Sequence, residues 1–250
     1  MFNPMSLEGK RVLVTGASSG IGRACAEMAS ALGALVVLTG RRPYALEETL
    51  RHLTNPDAHV VCPGDITDSG FLTCLAEKAG KIDGLVHAAG ISLALPVRMT
   101  DADAYRRVFE TNAGAFSELM RVFANRRRAN PGFSSVAISS VAALAGWSGV
   151  TAYAGSKGAV NAMVRALAVE LASFGFRVNA VCPSNIRTPM LDDLFQNLDE
   201  QNVLSAILAK QPLGIGAPEQ VASAVCFLLS SAANFITGVC LPVDGGYMAQ

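Results

Sequence analysis

Short apolar runs alternate with helical patterns along the N-terminal half of the chain, and this alternation constrains the fold more than any other feature. The run Arg11–Thr15 is followed by a glycine-rich turn and by a helical pattern over residues 21–32. A second run, Ala34–Thr39, has no polar alternation, which is typical of a strand buried on both faces. Strands that alternate with helices favour βαβ units. The pattern therefore predicts an α/β fold with one doubly wound parallel sheet, flanked by helices on both faces.

The rest of the chain extends this pattern without a linker or a repeat. Further strands are predicted at 59–62, 84–88, 135–139, 177–182 and 239–243. Further helices are predicted near 44–53, 68–78, 101–125, 153–174 and 218–230. Residues 185–211 differ, because they mix prolines, acidic residues and short apolar helical segments. We therefore predict a single domain over residues 1–250, with an insertion at about 185–211.

Composition excludes several classes of function. Of the 250 residues 51% are hydrophobic and only 16% are charged, which predicts a large core and surface buried against other subunits. A formal net charge of zero gives no attraction to nucleic acid or to an anionic membrane. No apolar stretch is long enough for a membrane span, and the N-terminus lacks a secretory signal. Six scattered cysteines without metal-ligand spacing predict a cytoplasmic protein with no metal site.

A glycine-rich turn joins the first predicted strand to the first predicted helix. Its spacing, Gly-x-x-x-Gly-x-Gly, is one residue longer than the Rossmann fingerprint. Glycines let the backbone approach a pyrophosphate, and the start of the helix offers unpaired N–H groups. The turn therefore predicts dinucleotide binding in a Rossmann-type fold. Its candidate cofactor-binding residues are Gly16, Ser18, Ser19, Gly20, Ile21 and Gly22.

The second predicted strand ends in residues that bear on the choice of cofactor. In the Rossmann pattern, an acidic residue about 20 positions beyond the turn binds the ribose 2′-hydroxyl of NAD. This chain has Thr39-Gly40-Arg41-Arg42 there instead, with no carboxylate. A guanidinium is a good bidentate partner for phosphate. Arg41 therefore favours NADP(H) over NAD(H), although the two arginines could also merely cap a strand.

Tyr153 and Lys157 are one helical turn apart in the sequence Tyr153-x-x-x-Lys157. Residues at i and i+4 lie on the same face of a helix, with Cβ atoms about 5–6 Å apart. A neighbouring ammonium favours phenolate over phenol, so the spacing predicts a lowered pKa for Tyr153. Such a tyrosine could exchange a proton with an alcohol or a ketone. By itself the spacing is also common on ordinary helix surfaces.

Together with an upstream serine, the glycine turn and Tyr153-x-x-x-Lys157 resemble the short-chain dehydrogenase/reductase family. The likeness runs from about Leu7 to Tyr247. Other segments that resemble motifs of that family are Gly64–Thr67, Ala88–Gly90, Thr111–Asn112, Ser139–Ser140, Pro183–Thr188 and Leu241–Gly246. The resemblance implies an oxidoreductase that transfers a hydride between a nicotinamide cofactor and the carbon of a small-molecule carbonyl or alcohol.

The resemblance also implies roles for individual residues. Ser140 would hydrogen-bond the substrate oxygen, and Tyr153 would donate or remove the proton. Lys157 would hold the nicotinamide ribose and lower the pKa of the tyrosine. Asn112 would kink its helix and anchor a water that links Lys157 to solvent. Beyond the turn and Arg41, the implied cofactor-binding residues are Asp65, Ile66, Ala88, Ala89, Gly90, Tyr153, Lys157, Pro183, Ile186 and Thr188.

The sequence departs from the family pattern at three places. His87-Ala88 stands where two asparagines are common, and we interpret His87 as a buried, hydrogen-bonded histidine rather than an extra acid. Ser184 replaces a glycine after Pro183. Phe174 stands where 3-oxoacyl-(acyl-carrier-protein) reductases commonly place an arginine, which argues against docking of a carrier protein.

Three hypotheses follow for the function. The first is an NADP-dependent reductase of a 3-oxoacyl thioester or a related β-keto compound. The second is a sugar, polyol or cyclic-alcohol dehydrogenase of the same family, and the third is a cofactor-binding protein without turnover. The resemblance implies a substrate pocket walled by 92–97, 144–150 and 190–208, and a homotetramer formed through the two long helices and the C-terminal strand.

Overall fold

The computed structural model describes residues 3–195 and 200–249. The strands of its sheet are Arg11–Thr15 (β1), Leu35–Gly40 (β2), Val60–Pro63 (β3), Ile82–His87 (β4), Ala129–Ile138 (β5), Arg177–Pro183 (β6) and Cys240–Val243 (β7). The α-helices are Gly20–Ala31 (α1), Pro43–His52 (α2), Ser69–Ala79 (α3), Ala102–Phe109 (α4), Ala115–Phe123 (α5), Thr151–Leu171 (α6), Pro189–Phe195 (α7), Glu200–Lys210 (α8) and Pro218–Leu229 (α9).

All seven strands are parallel and follow the order β3-β2-β1-β4-β5-β6-β7. The order reverses between β1 and β4, where Thr15 is paired with His87. A crevice opens beyond the carboxyl ends of the strands at such a switch point, and ligands of open α/β sheets bind there. The predicted fold class, a Rossmann-type doubly wound parallel sheet with helices on both faces, is confirmed.

Two apolar layers hold the helices against the sheet. On one face, α3, α5 and α6 pack over the strands, with Phe116, Phe123 and Phe133 fully buried. On the other face, α1, α2 and α9 form the second layer. Small buried side chains on α1, such as Ala26 and Ala29, let α9 approach closely. The sheet is therefore buried on both faces, as its unbroken apolar strands require.

The sheet has two edge strands, and each of them contains a proline. The edge strand β3 ends at Pro63, and the edge strand β7 contains Pro242. Proline has no backbone N–H, so it cannot donate to a neighbouring strand.

The helix predicted over 101–125 is interrupted in its middle, where the resemblance implied that Asn112 kinks it. Asp101 caps α4 by accepting a hydrogen bond from the backbone of Ala104 at 2.8 Å. A π-helical turn, Glu110–Gly114, then separates α4 from α5. A π-turn adds a residue to one turn of helix, and this one lies where Asn112 is fully buried.

The remaining boundaries differ from the predicted ones by a few residues. Strand β5 begins at Ala129, six residues before the prediction, because its first half pairs with Ile82 before the register shifts. Helix α6 ends at Leu171, and a 3-10 turn continues to Phe174 before Gly175 at φ 73°. An isolated parallel bridge between Ile186 and Gly216 joins the start of the insertion at 185–211 to the segment that follows it.

Candidate active site

The glycine turn lies between β1 and α1 with its backbone packed against another loop. Gly16 has φ +66°, and a Cβ atom there would lie 2.7 Å from the backbone nitrogen of Ala89. Gly20 has φ +54°, and a Cβ there would lie 3.1 Å from Cγ2 of Thr188. These are close backbone approaches that only glycine allows. The turn thus brings the predicted cofactor segments around 16–22, 88–90 and 186–188 together.

The start of α1 is open to an anion. Ser19 is the N-cap residue, but its side chain makes no capping hydrogen bond, and no acidic residue lies in the first turn. The first N–H groups of a helix have no partner within it and lie at the positive end of the helix dipole. The residues present therefore fit the pyrophosphate of a dinucleotide.

Two arginines follow β2, and they lie in different places. Arg42 donates hydrogen bonds from Nη2 to the hydroxyls of Ser19 at 3.0 Å and Ser18 at 3.3 Å. It lines a cavity of about 460 Å³ beside the glycine turn, with Arg23 also in its wall. Arg41, the arginine singled out in the sequence, is exposed beside the loop that holds Asp65. Sequence reasoning missed the contact that places Arg42 on the turn.

Asp65 is held by its neighbour. Its Oδ1 accepts hydrogen bonds from the backbone N–H of Thr67 at 3.0 Å and from the Thr67 hydroxyl at 2.8 Å. The backbone hydrogen bond, aided more weakly by the Thr67 hydroxyl and by Arg41, lowers the pKa of Asp65 despite its partial burial. Asp65 is consequently a fixed carboxylate at the carboxyl end of β3, on the same side of the sheet as the turn.

Tyr153 and Lys157 lie one turn apart near the start of α6, as the spacing predicted. Lys157 is only 4% exposed, and its Nζ donates to the carbonyl oxygen of Ile138 at 2.8 Å. The same Nζ lies 5.7 Å from the centroid of the Tyr153 ring. Burial lowers the pKa of Lys157 from 10.5 to about 8.

The predicted lowering of the Tyr153 pKa is wrong for this structure. Part of the Tyr153 residue is exposed, but its phenol group is buried. This desolvation raises the pKa of the phenol. A hydrogen bond with Ser140 offsets part of that rise. The ammonium of Lys157 is directed to Ile138 instead of the phenol oxygen, so it does not overcome desolvation. Tyr153 is thus protonated at neutral pH.

Both polar atoms of the Asn112 side chain make hydrogen bonds within the protein. Its Oδ1 accepts from the backbone N–H of Ile91 at 2.8 Å. Its Nδ2 donates to the Ile91 carbonyl at 3.0 Å and to the Ser156 hydroxyl at 2.9 Å. A Cβ on Gly90 would lie 3.1 Å from Asn112 Oδ1 and 3.3 Å from Lys157 Nζ. The two predicted residues therefore converge on Gly90.

Ser139 and Ser140 follow β5 and attach it to α6. The hydroxyl of Ser139 donates to the carbonyl oxygen of Lys157 at 3.2 Å. The hydroxyl of Ser140 accepts from the backbone of Ala142 at 3.1 Å and lies beside Tyr153. The structure thus brings the four predicted catalytic residues, Asn112, Ser140, Tyr153 and Lys157, to one end of the crevice.

Comparison with known proteins agrees with this geometry. A family model described as enoyl-(acyl carrier protein) reductase matches residues 16–248. A 3-oxoacyl-(acyl-carrier-protein) reductase from Rickettsia felis is 37% identical, over 98% of this chain and 99% of the relative. The chain belongs to the short-chain dehydrogenase/reductase family. It is therefore an oxidoreductase of the class that acts on alcohol or carbonyl groups.

Two further members of the short-chain dehydrogenase/reductase family widen the range of relatives. An L-rhamnose 1-dehydrogenase (NAD(P)(+)) from a Sphingomonas species is 35% identical, over 96% of each chain. A solved structure described as an NAD(P) dependent gluconate 5-dehydrogenase from Beutenbergia cavernae contains NADP at low occupancy. It matches with a TM-score of 0.89 and 31% identity, over 99% of this chain and all of that one.

A cleft in this short-chain dehydrogenase/reductase lies among the loops predicted to wall the substrate pocket. It has a volume of about 450 Å³ and is lined by Pro96, Val97, Arg98, Trp147, Ser148, Gly149 and Thr151. Trp147 is 42% exposed and packs edge-on against Tyr247, with ring centroids 6.1 Å apart. Part of the third predicted wall, residues 196–199, lies outside the described residues.

The sequence reasoning missed Gln211, at the base of the insertion. Gln211 is 1% exposed; its Oε1 accepts from the Ser184 hydroxyl at 2.8 Å, and its Nε2 donates to the Asn185 carbonyl at 3.1 Å. Ser184 also lies 3.0 Å from the Asp244 carbonyl oxygen. The sequence signal for this contact was a serine at position 184, where the family has glycine. A partly buried hydroxyl needs a hydrogen-bond partner.

The sequence predicts neither a metal site nor a membrane-spanning helix. Within residues 3–195 and 200–249, no three His, Cys, Asp or Glu side chains come together as a metal site would require. None of the described helices combines the length and the apolar character needed to span a bilayer.

Proposed function

We propose that this protein is an NADP(H)-dependent reductase of carbonyl compounds, with a 3-oxoacyl thioester or a related β-keto compound as its substrate. The observation that supports the proposal most is the convergence of Asn112 Oδ1 and Lys157 Nζ on Gly90, in the loop that also packs against the glycine turn. If the turn holds the pyrophosphate of a nicotinamide dinucleotide, this loop and Lys157 would line the cofactor near Tyr153.

The residues at this end of the crevice suit proton transfer to a carbonyl oxygen. The bound nicotinamide supplies the hydride. Negative charge then develops on the substrate oxygen, so the site needs hydrogen-bond donors and a proton source. Ser140 can donate a hydrogen bond, and Tyr153 can donate its proton. The phenol of Tyr153 is protonated at neutral pH, as a proton donor to the substrate oxygen must be.

The mechanism is tested by Tyr153→Phe, with Tyr44→Phe as a matched control because Tyr44 is 76% exposed. We expect Tyr153→Phe to lower kcat for NADPH oxidation by about 10²–10⁴-fold, since that is the usual contribution of a general acid. Cofactor affinity should stay within about threefold, because the ring is retained. Unchanged turnover in Tyr153→Phe contradicts the mechanism. A wild-type protein that binds NADPH but turns over no carbonyl supports the binding-protein alternative.

The preference for NADP(H) rests on Arg42 and Arg41. Arg42 lies on the turn through Ser18 and Ser19, and Arg41 lies close enough to act on Asp65. Both guanidinium groups are suited to the 2′-phosphate, which NAD lacks. The bound NADP of the Beutenbergia cavernae relative is consistent with this assignment.

Isothermal titration with both cofactors tests the preference. Arg42→Ala and Arg41→Ala should each raise the Kd of NADPH by about tenfold or more, because each removes a charge-assisted hydrogen bond. The Kd of NADH should change little. Arg51→Ala, an exposed arginine in the last turn of α2, is the control. Wild-type protein that binds NADH at least as tightly as NADPH contradicts the proposal.

The substrate class is supported by the name of the 37% identical Rickettsia felis relative, a 3-oxoacyl-(acyl-carrier-protein) reductase. The rhamnose and gluconate dehydrogenases favour the alternative, a sugar, polyol or cyclic alcohol. A carbonyl panel that includes a carrier-mimic β-keto thioester separates the two. Absence of activity with every β-keto thioester would favour the alternative.

We do not propose that a carrier protein docks on this chain. Phe174 occupies the position of the expected arginine, and Arg126 stacks over its ring, 5.2 Å from the centroid. The free thioester mimic should therefore be reduced about as fast as the carrier-bound substrate.

We also propose a cytoplasmic homotetramer. The six cysteines are free thiols, which suits a reducing compartment. Val169 on α6 is 81% exposed, and Phe235 before β7 is fully exposed. Val169 lies on one of the long helices predicted to form subunit contacts, and Phe235 lies shortly before the C-terminal strand. Burying these two side chains would remove apolar surface from water. Light scattering at micromolar concentration tests the assembly, and a monomer would contradict it.

A further inference from the structure

His87, the last residue of β4, is completely buried at the switch point of the sheet. Its Nδ1 lies 3.2 Å from the hydroxyl of Thr15, and its Nε2 lies 3.2 Å from the carbonyl oxygen of Asn112. The Thr15 hydroxyl in turn accepts from the backbone N–H of Ala89 at 3.1 Å. The imidazole also stacks on Phe116, with ring centroids 5.5 Å apart.

These contacts fix the direction of each hydrogen bond. The carbonyl oxygen of Asn112 can only accept, so Nε2 must bear the proton. In a neutral imidazole Nδ1 is then an acceptor, and the Thr15 hydroxyl donates to it while accepting from Ala89. Every polar atom of the imidazole and of the Thr15 hydroxyl is thereby satisfied.

The neutral form agrees with the surroundings of the ring. Burial, and then the positive charge of Lys157, lower the pKa of His87 to about 3. The groups that face the imidazole are Thr15 on β1, Asn112 on the π-turn and Phe116 on α5, none of which is charged. With both ring nitrogens occupied and no exposed surface, His87 has no position from which to donate a proton to substrate.

The elements that His87 joins are those that form the candidate site. Thr15 immediately precedes the glycine turn, and Ala89 is the residue against which Gly16 packs. Asn112 belongs to the π-turn, and its side chain holds Ile91 and Ser156. Ser156 donates to the carbonyl oxygen of Tyr153 at 2.7 Å.

We infer that His87 is a positioning residue, which holds the π-turn through the Asn112 carbonyl and so sets where the Asn112 side chain and α6 stand relative to the glycine turn. This inference rests on the proposed function, because it assigns His87 an effect on turnover. The hydrogen bond to the Asn112 carbonyl comes from a strand outside its helix, so it constrains the orientation of the π-turn.

Two substitutions separate the hydrogen bond to Asn112 from the packing of the ring. Glutamine has its amide nitrogen the same number of bonds from Cα as Nε2 of histidine, so His87→Gln can still donate to Asn112. Leucine fills the space but has no polar atom, so His87→Leu cannot donate to the Asn112 carbonyl. His52→Gln, an exposed histidine on α2, is the control.

We expect His87→Leu to lower kcat by about tenfold or more, with little change in the KM for NADPH, because the Asn112 carbonyl loses the hydrogen bond from β4. His87→Gln should recover most of that loss. The pH at which kcat falls on the alkaline side should also move in His87→Leu and return in His87→Gln. If both variants lose the same amount of kcat, or if neither does, the positioning role is wrong.

A second measurement does not depend on turnover. Nitrogen NMR of the three histidines of the wild-type protein should show one that remains neutral with its proton on Nε2 between pH 5 and 8. This signal should disappear in His87→Leu. A His87 that titrates near its ordinary pKa, or that has its proton on Nδ1, would overturn the inference even if the enzyme is active. An inactive wild-type protein with the expected spectrum would instead contradict the proposed function alone.

Discussion

The two ends of the candidate site are held by different physical means. At the glycine turn, backbone packs directly on backbone, and Gly16 has no room for a Cβ beside Ala89. At the other end, buried polar side chains hold one another, with Asn112 and Lys157 at the centre. The first end depends on steric fit, which pH does not change. The second depends on hydrogen bonds and on a buried charge, so its properties change with pH.

The largest expected effect comes from filling the space at the turn. Gly16→Ala should raise the Kd of NADPH by about 100-fold or more, because its Cβ would overlap the Ala89 backbone at 2.7 Å and φ is +66°. Gly9 is the matched control: its φ is +73°, and a Cβ there would meet nothing within 4 Å.

Gly9→Ala should therefore cost about 1–2 kcal/mol of stability from backbone strain alone, with an unchanged Kd. Calorimetric titration and urea unfolding of both variants measure the difference. Equal values of Kd for the two variants would show that the turn is not held by steric fit.

The second prediction concerns the buried charge. Lys157→Met should lower kcat by about 100-fold or more, and the wild-type kcat for reduction should fall as pH rises through about 8, where Lys157 loses its proton. The Gly16→Ala variant, measured at saturating cofactor, should show the same alkaline limb. A flat pH profile from 7 to 9 would argue against a role for the Lys157 ammonium.

The same lysine should make the folded state less stable. Its pKa is about 8 when folded and 10.5 in its ordinary state, so folding disfavours the ammonium form. The cost is fully present below pH 8, amounts to about 3 kcal/mol, and declines as pH rises toward 10.5. Lys157→Met should thus raise the free energy of unfolding at pH 7 and raise it much less at pH 10. Denaturant titrations at the two pH values test the sign.

The smallest expected effect lies at the base of the insertion. Ser184→Gly removes a hydroxyl that donates to Gln211 Oε1 or to the Asp244 carbonyl, and should cost about 1 kcal/mol of stability. The kcat should remain within about twofold, since Gln211 still holds Asn185. A loss of kcat as large as that of Lys157→Met would mean that this hydroxyl belongs to the pH-sensitive end.

The sequence was sufficient for the features that depend on local pattern. The strands β1 and β2 followed from apolar runs, and the turn at 16–22 followed from the spacing of its glycines. The π-turn did not, because Glu110–Gly114 has the same helical periodicity as an α-helix. The direction of the Lys157 side chain also depends on Ile138, a residue of another element. Desolvation of the phenol raises the pKa of Tyr153, and an ammonium that donates to Ile138 does not offset that rise.

For His87 and Arg42, residue type and position in the sequence do not predict the hydrogen-bond partners that the structure shows. The interpretation of His87 as a buried, hydrogen-bonded histidine is confirmed, but its partners Thr15 and Asn112 come from two other elements. Arg42 is adjacent to Arg41 in sequence, yet only Arg42 donates to the serines of the turn. Such distinctions depend on strand register and on the direction of a loop, which a single sequence does not specify.

The prolines at the two edges of the sheet have a consequence for the behaviour of the protein at high concentration. An exposed edge strand is a template on which another chain can add a strand and begin a fibril. Pro63 removes a backbone N–H donor from β3, and Pro242 removes one from β7. Aggregation by edge-to-edge growth is thereby opposed by the native fold itself, so the folded protein should tolerate high concentration without recruiting its own copies into amyloid.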